Sequence, residues 1–423
     1  MTYEDFVASK RRRTIMAGFD ADCSHDYLFP FQTHVCEWAL RTGRACIFAG
    51  TGLGKTRMRL TCASEVAKRQ GPVLILAPLA VAGQTVQEAF TIGIEATRGT
   101  GHSIDVVNYD QLHNIDASRY AGVILDESSI LKSHDGEYRK MLTDQFSRTP
   151  YKFAFTATPA PNDYMELGTH AEFMGICTRT EMLAEYFTHD GGDTSKWRLK
   201  RHARRDFWRW VSTWAMCFVH PSDIGYPTDG YDLPELVMHD HIVGMSSNWG
   251  GLFGGSTDGV SATNIRQVQR DCFDDRIKKA IEIANAENSQ IILWCSTNQE
   301  HEDLMKAIPR AIGVRGSDTP EHKERALLGF ADKAFNVLVT KPSIAGFGMN
   351  WQSCNRMVFV SISYSYEMLY QSIRRCWRFG QSKPVHVHMI YSDAEDSVRS
   401  ALAIKSAAHS SMLDEMRQYA EVA

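Results

Sequence analysis

"IFAGTGLGKTRMRL", residues 47–60, decides how this chain folds. The run "ACIF" at 45–48 is short and apolar, "AGTGLGKT" is a glycine turn, and "RMRLTCASEVAKRQ" has its apolar residues at helical spacing. Strand, glycine-rich loop and helix, in that order, are what a phosphate-binding loop requires, because the loop amides and the helix N-terminus attract phosphate oxygens. In this reading Gly50, Gly52, Gly54, Lys55 and Thr56 cradle ATP, with Lys55 reaching the β- and γ-phosphates and Thr56 holding Mg²⁺. Ala49 stands where the first glycine of the pattern is usual. A plain helix-capping turn is the competing reading, and a second motif tells against it. "AGVILDESS", residues 121–129, places Asp126 and Glu127 directly after an apolar strand, so both carboxylates emerge at the carboxyl edge of the same sheet, where ligands sit in such folds. There Asp126 would bind Mg²⁺ through water, and Glu127 would orient and deprotonate an attacking water.

Further apolar runs extend the pattern: "PVLILAP" at 72–78 and "YKFAFTATP" at 151–159, then "QIILWCS" at 290–296, "FNVLVTK" at 335–341, "NRMVFVS" at 355–361 and "VHVHMIYS" at 385–392. Short buried strands alternating with helices mean parallel sheets, and two sets of them mean two α/β lobes. Between the sets, "GMSSNWGGLFGGSTDGVSATN", residues 244–264, is rich in Gly and Ser like a flexible connector. The expected organisation is a lead at 1–26, a first lobe at 27–243 with a helical insertion at about 171–220, the connector at 244–264, a second lobe at 265–402, and a C-terminal surface helix at 403–423 packed on the second lobe.

Composition agrees with two domains, since 423 residues exceed what one hydrophobic core usually holds. The longest apolar run, Val73 to Ala82, is far too short to cross a bilayer. "MTYEDFVASKRRR" at 1–13 puts acids and arginines where a signal peptide needs apolar residues, so a cytoplasmic protein is expected. Ten cysteines with no C-x-x-C pair suit reduced thiols and argue against a zinc ribbon. His170 with His189, or His386 with His388, lack a third ligand at metal spacing.

At a formal net charge of −4, any polyanion must be met by a local basic patch. "KWRLKRHARRDFWRWVSTWAMCF", residues 196–218, is the candidate, read as helical, with seven Lys and Arg against one acid. Phe207, Trp210, Val211 and Trp214 fall on one side, as core. Arg198, Arg201, Arg205 and Arg209 fall on another, either along nucleic-acid phosphates or as a solvated face. Trp197 and Trp208 offer a weaker alternative, stacking on unpaired bases. The run "KRRR" at 10–13 is a second small basic feature.

More motifs complete the series. "LFPFQTHVCEWAL" at 28–40 precedes the phosphate loop and contains Gln32; "PLAV" stands at 78–81. "DESSILKS" at 126–133 fits D-E-x-x-x-L-K, and "TATPAPNDYMEL" at 156–167 fits T-x-T-P-x-x-N-x-x-x-E-L. In the second half come "GFGMNWQ" at 346–352, with Gly346, Gly348 and Asn350, and "QSIRRCWRFGQ" at 371–381. In this order the motifs resemble those of superfamily-two helicases and translocases, and among them the Swi/Snf-type branch of DNA-dependent ATPases. The resemblance implies two tandem RecA-like P-loop lobes, ATP and Mg²⁺ as cofactors, Gln32 reading adenine, Gly348 near the nucleotide, and double-stranded DNA as the track. Gln371, Arg375 and Arg378, at i, i+4 and i+7, would share one helix face, and the two arginines would act as fingers on the γ-phosphate. Ser129 replaces the histidine that many relatives carry after D-E-x. The short chain suggests a compact phage or bacterial motor. A strand-separating helicase on DNA or RNA, and an ATP-gated DNA-binding switch without processive movement, are the alternatives.

Overall fold

The computed structural model describes residues 18–132, 136–160, 163–190, 193–228, 230–244, 269–345, 349–392 and 395–419. The basic run at 10–13, the connector at 245–264, Asn162, Gly346 and Gly348 lie outside them. The chain divides into two units, Met1–Thr228 with His409–Ala423, and Asp229–Ala408. Each is built on one all-parallel sheet, the two-lobed α/β architecture that the alternating pattern implies.

The first sheet contains β1 (Arg44–Ala49), β2 (Val73–Ala77), β3 (Thr97–Arg98), β4 (Ile104–Asn108), β5 (Gly122–Asp126), β6 (Tyr151–Thr156) and β9 (Ala215–Phe218), while β7 (Phe187–Asp190) and β8 (Asp193–Leu199) form a separate antiparallel hairpin. The sheet order is β3-β4-β2-β5-β6-β1-β9. Strands β2, β5 and β6 are buried along their whole length, which is why they read as continuous apolar runs rather than as alternation. Register sets Phe48 opposite Thr156 and Asp126 opposite Phe155, so the chain leaves β1, β6 and β5 at one level of the carboxyl edge. Helix Lys55–Arg69 buries Met58, Leu60, Cys62, Ala63 and Val66.

The insertion differs from the expected helix. Its parts are helices Leu167–Met174 and Arg179–Tyr186, the β7–β8 hairpin, helix Arg204–Ser212, and β9, which pairs with β1. Aromatic and β-branched residues satisfy a strand period as readily as a helical one, and pairing with a neighbouring strand decides. Phe207, Trp210, Val211 and Trp214 are buried in the core, as their side of the pattern implies. Trp208 is corrected: it is 1% exposed and its Nε1 donates to Glu415 at 2.6 Å, so it presents no face to a base.

The second sheet runs β10 (Leu236–Val243), β15 (Val385–Ser392), β14 (Arg356–Phe359), β11 (Ile291–Trp294), β13 (Val337–Thr340) and β12 (Ala311–Gly313). Here the boundary at 243 is corrected, because all eight residues of β10 pair with β15. "LVMHDHIV" is a half-exposed edge strand whose sequence neighbours, not its pairing, suggested the first lobe. The C-terminal helix is also corrected. It spans Asp396–Tyr419, and its end belongs to the first unit: Arg204 pairs with Glu415, Arg417 with Asp223 at 3.1 Å, and Met412, Leu413 and Met416 enter the core. All ten cysteines are free and buried, and no helix among the described residues is long and apolar enough to cross a membrane.

Candidate functional site

Gly52 and Gly54 adopt φ of 94° and 78°, the left-handed region that glycine enters without strain. At Gly54 a Cβ would come within 2.1 Å of Gln32 Nε2, so side chain and loop are in close contact. Gln32 is buried, donates to Leu53 O at 3.0 Å and accepts from the Phe29 amide at 3.0 Å, which anchors the loop to the helix before it. Helix Lys55–Arg69 starts at Gly54 with no side-chain cap, and a helix N-terminus of this kind attracts an anion. Lys55 Nζ lies back on the loop, donating to Ala49 O at 2.9 Å and Gly50 O at 3.1 Å, while Thr56 is half-buried on the first turn.

Asp126 and Glu127 stand at the same edge, two strands from the loop, with β6 between. Glu127 has φ 57°, which costs a non-glycine residue about 1–3 kcal/mol and marks a held conformation. Thr156 Oγ1 donates to Glu127 Oε1 at 2.5 Å and accepts from the Thr158 amide at 3.0 Å, so both threonines of T-x-T fix the carboxylate. Asp126 pairs through Oδ1 with Arg59, whose other amine donates to Thr85 Oγ1 at 2.6 Å. Tyr109 OH donates to the Asp126 carbonyl at 2.9 Å, and burial first, then the two carboxylates, raise its hydroxyl well above the usual value. Sequence reasoning missed Arg59. Its signal is an arginine at a core position of an otherwise apolar helical pattern.

Ser128, next in the motif, is 3.2 Å from His170 Nε2. Burial pushes the His170 imidazole down to about 4, so it is neutral. Among the described residues no three or more His, Cys, Asp or Glu side chains gather in a metal-holding group. The pair His386 and His388 instead meets His239 and His241 across β10 and β15, with ring nitrogens 3.0 and 2.9 Å apart. Burial, then His239, His241, Arg356 and His386, push His388 down to about 3.

In the second unit the shared helix face is corrected: helix Tyr366–Ile373 ends before either arginine. Arg375 and Arg378 sit in the turns that follow, and the Trp351 amide donates to Arg375 O at 2.9 Å. Arg375 is buried, donating to Gln371 O at 3.0 Å, Gln371 Oε1 at 3.1 Å and Met349 O at 3.2 Å. Arg378 is half-buried, with Met349 O at 3.4 Å. Burial, then Arg375 and Arg374, push its guanidinium down to about 9, which leaves it a cation at neutral pH. At the carboxyl edge of the same sheet, Ser296, Lys341, Ser343, Ser361, Ser363 and Ser365 line a cleft of about 220 Å³. Nothing in the motif series singles out those serines.

Arg198, Arg201, Arg205 and Arg209 are all exposed, but do not form one stripe: Arg198 is on β8, Arg201 in a short turn of helix, and Arg205 and Arg209 on helix Arg204–Ser212.

Residues 274–380 match the helicase conserved C-terminal domain. The chain is also 32% identical over 84 residues, 20% of its length, to the bifunctional helicase and thymine dioxygenase JBP2 of Leishmania infantum, and equally to that of Leishmania tarentolae. The match covers 8% of those relatives. A similar solved structure is the Sulfolobus solfataricus SWI2/SNF2 ATPase core in complex with dsDNA, at 17% identity and a TM-score of 0.42, over 90% of this chain and 92% of that one.

Proposed function

We infer that this chain, whose second unit carries a helicase conserved C-terminal domain, is a superfamily-two nucleic-acid motor of Swi/Snf type that hydrolyses ATP to translocate along double-stranded DNA. The observation that carries the reading is the shared edge of the first sheet, where an uncapped helix N-terminus, Lys55 and the pair Asp126–Glu127 lie at one level. These groups fit Mg–ATP: a glycine cradle in which a Cβ would strike Gln32, a lysine resting on carbonyls, and a hydroxyl and a carboxylate for the metal. Duplex DNA is the track implied by the Swi/Snf-type motif order. Ten free thiols suit a reducing cytoplasm, in a bacterium or a phage-infected cell on this proposal.

Thr56, and Asp126 through water, would hold Mg²⁺, which would supply charge neutralisation for the transferring phosphoryl group. Lys55 exchanges its two carbonyls for phosphate oxygens. Glu127, held at Oε1 by Thr156, orients the attacking water and accepts its proton. The water oxygen bonds to the γ-phosphorus as the bond to the β–γ bridging oxygen breaks, giving ADP and phosphate. Arg378 stabilises the transferring group, and Arg375 fixes the turn that presents it. The exposed arginines of the insertion and the Lys341 cleft supply phosphate contacts, so affinity for the track falls steeply with salt.

Steady-state ATPase without nucleic acid, with duplex DNA, with single-stranded DNA and with RNA tests the class. We expect duplex DNA to raise turnover about tenfold or more, one transition-state increment of about 1.4 kcal/mol. Displacement of a third strand from a triplex tests movement. Stimulation by single strands alone would favour the helicase, and no stimulation the switch.

A further inference from the structure

Arg59 is a buried cation that a phosphate loop does not require. It lies one turn beyond Lys55 on helix Lys55–Arg69, is 1% exposed, and sits among Met58, Leu60, Cys62 and Ala63, all fully buried. Its guanidinium is divided between two partners: one amine pairs with Asp126 Oδ1, and the other donates to Thr85 Oγ1 at 2.6 Å. Thr85 spends its own proton on Val81 O at 3.0 Å, so its oxygen is left to accept from Arg59. The Arg59 Nε is buried with no partner among the described residues. An unsatisfied buried N–H is costly, so a side chain placed for packing alone would not be kept here.

We propose that Arg59 is a positioning residue for the metal. By holding Oδ1 of Asp126, with Thr85 fixing the fork, it leaves Oδ2 as the oxygen that would serve a Mg²⁺ held by Thr56, three residues earlier on the same helix. A carboxylate without its donor would be free to rotate away. A planar fork held at both ends allows one orientation, which a lysine cannot impose. The proposal rests on the Mg–ATP reading of this edge.

The test compares wild type with Arg59→Met, Arg59→Lys and Thr85→Val. Two readouts are followed: Mn²⁺ binding by electron paramagnetic resonance with a non-hydrolysable ATP analogue, and the Mg²⁺ dependence of turnover. Arg59→Met is expected to raise the metal concentration at half-saturation at least tenfold, with saturating Mg²⁺ restoring most of kcat. Arg59→Lys should fall between it and wild type, and Thr85→Val should shift the midpoint a few-fold in the same direction. Metal-free binding of the analogue should be unchanged in all three. An unchanged or tighter metal midpoint in Arg59→Met, or a kcat that excess Mg²⁺ does not restore, overturns the proposal. If Arg59→Met does not fold, unmoved midpoints in the two milder variants overturn it instead. Wild type that binds no Mn²⁺ with the analogue removes the Mg–ATP reading itself, whereas wild-type binding with unmoved variants removes only the role of Arg59.

Discussion

The carboxyl edge of the first sheet and the arginine turn of the second unit both carry charge, proposed to meet a phosphate, but they hold it in different ways. In the first, anions are pinned by donors: Asp126 by Arg59, and Glu127 by Thr156 at 2.5 Å, on a backbone fixed by sheet register and a left-handed φ. In the second, cations rest on main-chain carbonyls, Arg375 on those of Gln371 and Met349 and Arg378 on that of Met349. Lys55 follows the second rule inside the first unit, lying on Ala49 and Gly50. The carboxylates are therefore preorganised, while the cations lie on main-chain carbonyls that, on the proposed function, they exchange for phosphate oxygens. Such an exchange is favourable because a hydrogen bond between charged groups is about twice as strong as a neutral one.

The largest effects should come from breaking each arrangement at its centre. Lys55→Ala is expected to abolish nucleotide binding, and Glu127→Gln to keep it while lowering kcat about 10²- to 10⁴-fold; binding by fluorescence and turnover by phosphate release separate the two. In the second unit, Arg375→Ala removes a buried guanidinium that donates to the Gln371 and Met349 carbonyls, so it should destabilise the fold by about 2–4 kcal/mol in denaturant melts. Arg378→Ala, at a half-buried site, should change stability by less than about 1 kcal/mol.

Acid sharpens the comparison next. The His170 imidazole sits at about 4 in the fold, pushed there by burial, against about 6.5 unfolded. The unfolded chain therefore binds the proton first, and stability present above pH 6.5 is lost as pH falls towards 4, by about 3 kcal/mol in total. His388, at about 3, acts in the same direction in the second unit. Thermal melts between pH 7.5 and 4 should show the midpoint falling, with a shallower acid limb in His170→Gln and in His388→Gln. The smallest effect is at the exposed arginines. Arg205→Ala and Arg209→Ala should each lower the salt slope of DNA binding by about 1, with only a few-fold loss of affinity at fixed salt.

Much of this contrast is legible in the sequence, and for a physical reason. Gly54-Lys55-Thr56 and Asp126-Glu127 are short, and each stands at the end of a largely buried strand, so backbone geometry fixes them with little help from distant residues. Gln371, Arg375 and Arg378 have helical spacing, yet the helix stops at Ile373, where the Arg375 side chain donates to the Gln371 carbonyl and the Trp351 amide donates to the Arg375 carbonyl, engaging both acceptors outside the helix. β10 was hidden for a related reason. Its partner, β15, lies about 150 residues further along the chain, and only pairing shows that "LVMHDHIV" belongs with "VHVHMIYS". Arg59 and Thr85 form a contact between two helices 26 residues apart, which no local pattern encodes.

The central proposal is that ATP hydrolysis needs both the Lys55 loop and Arg378. It is tested most directly by measuring ATP binding and single-turnover hydrolysis in Arg378→Ala beside Lys55→Ala, with duplex DNA present. The account predicts that Lys55→Ala loses binding, while Arg378→Ala binds ATP like wild type and hydrolyses it about 10³-fold or more slowly. Wild-type hydrolysis by Arg378→Ala would contradict it.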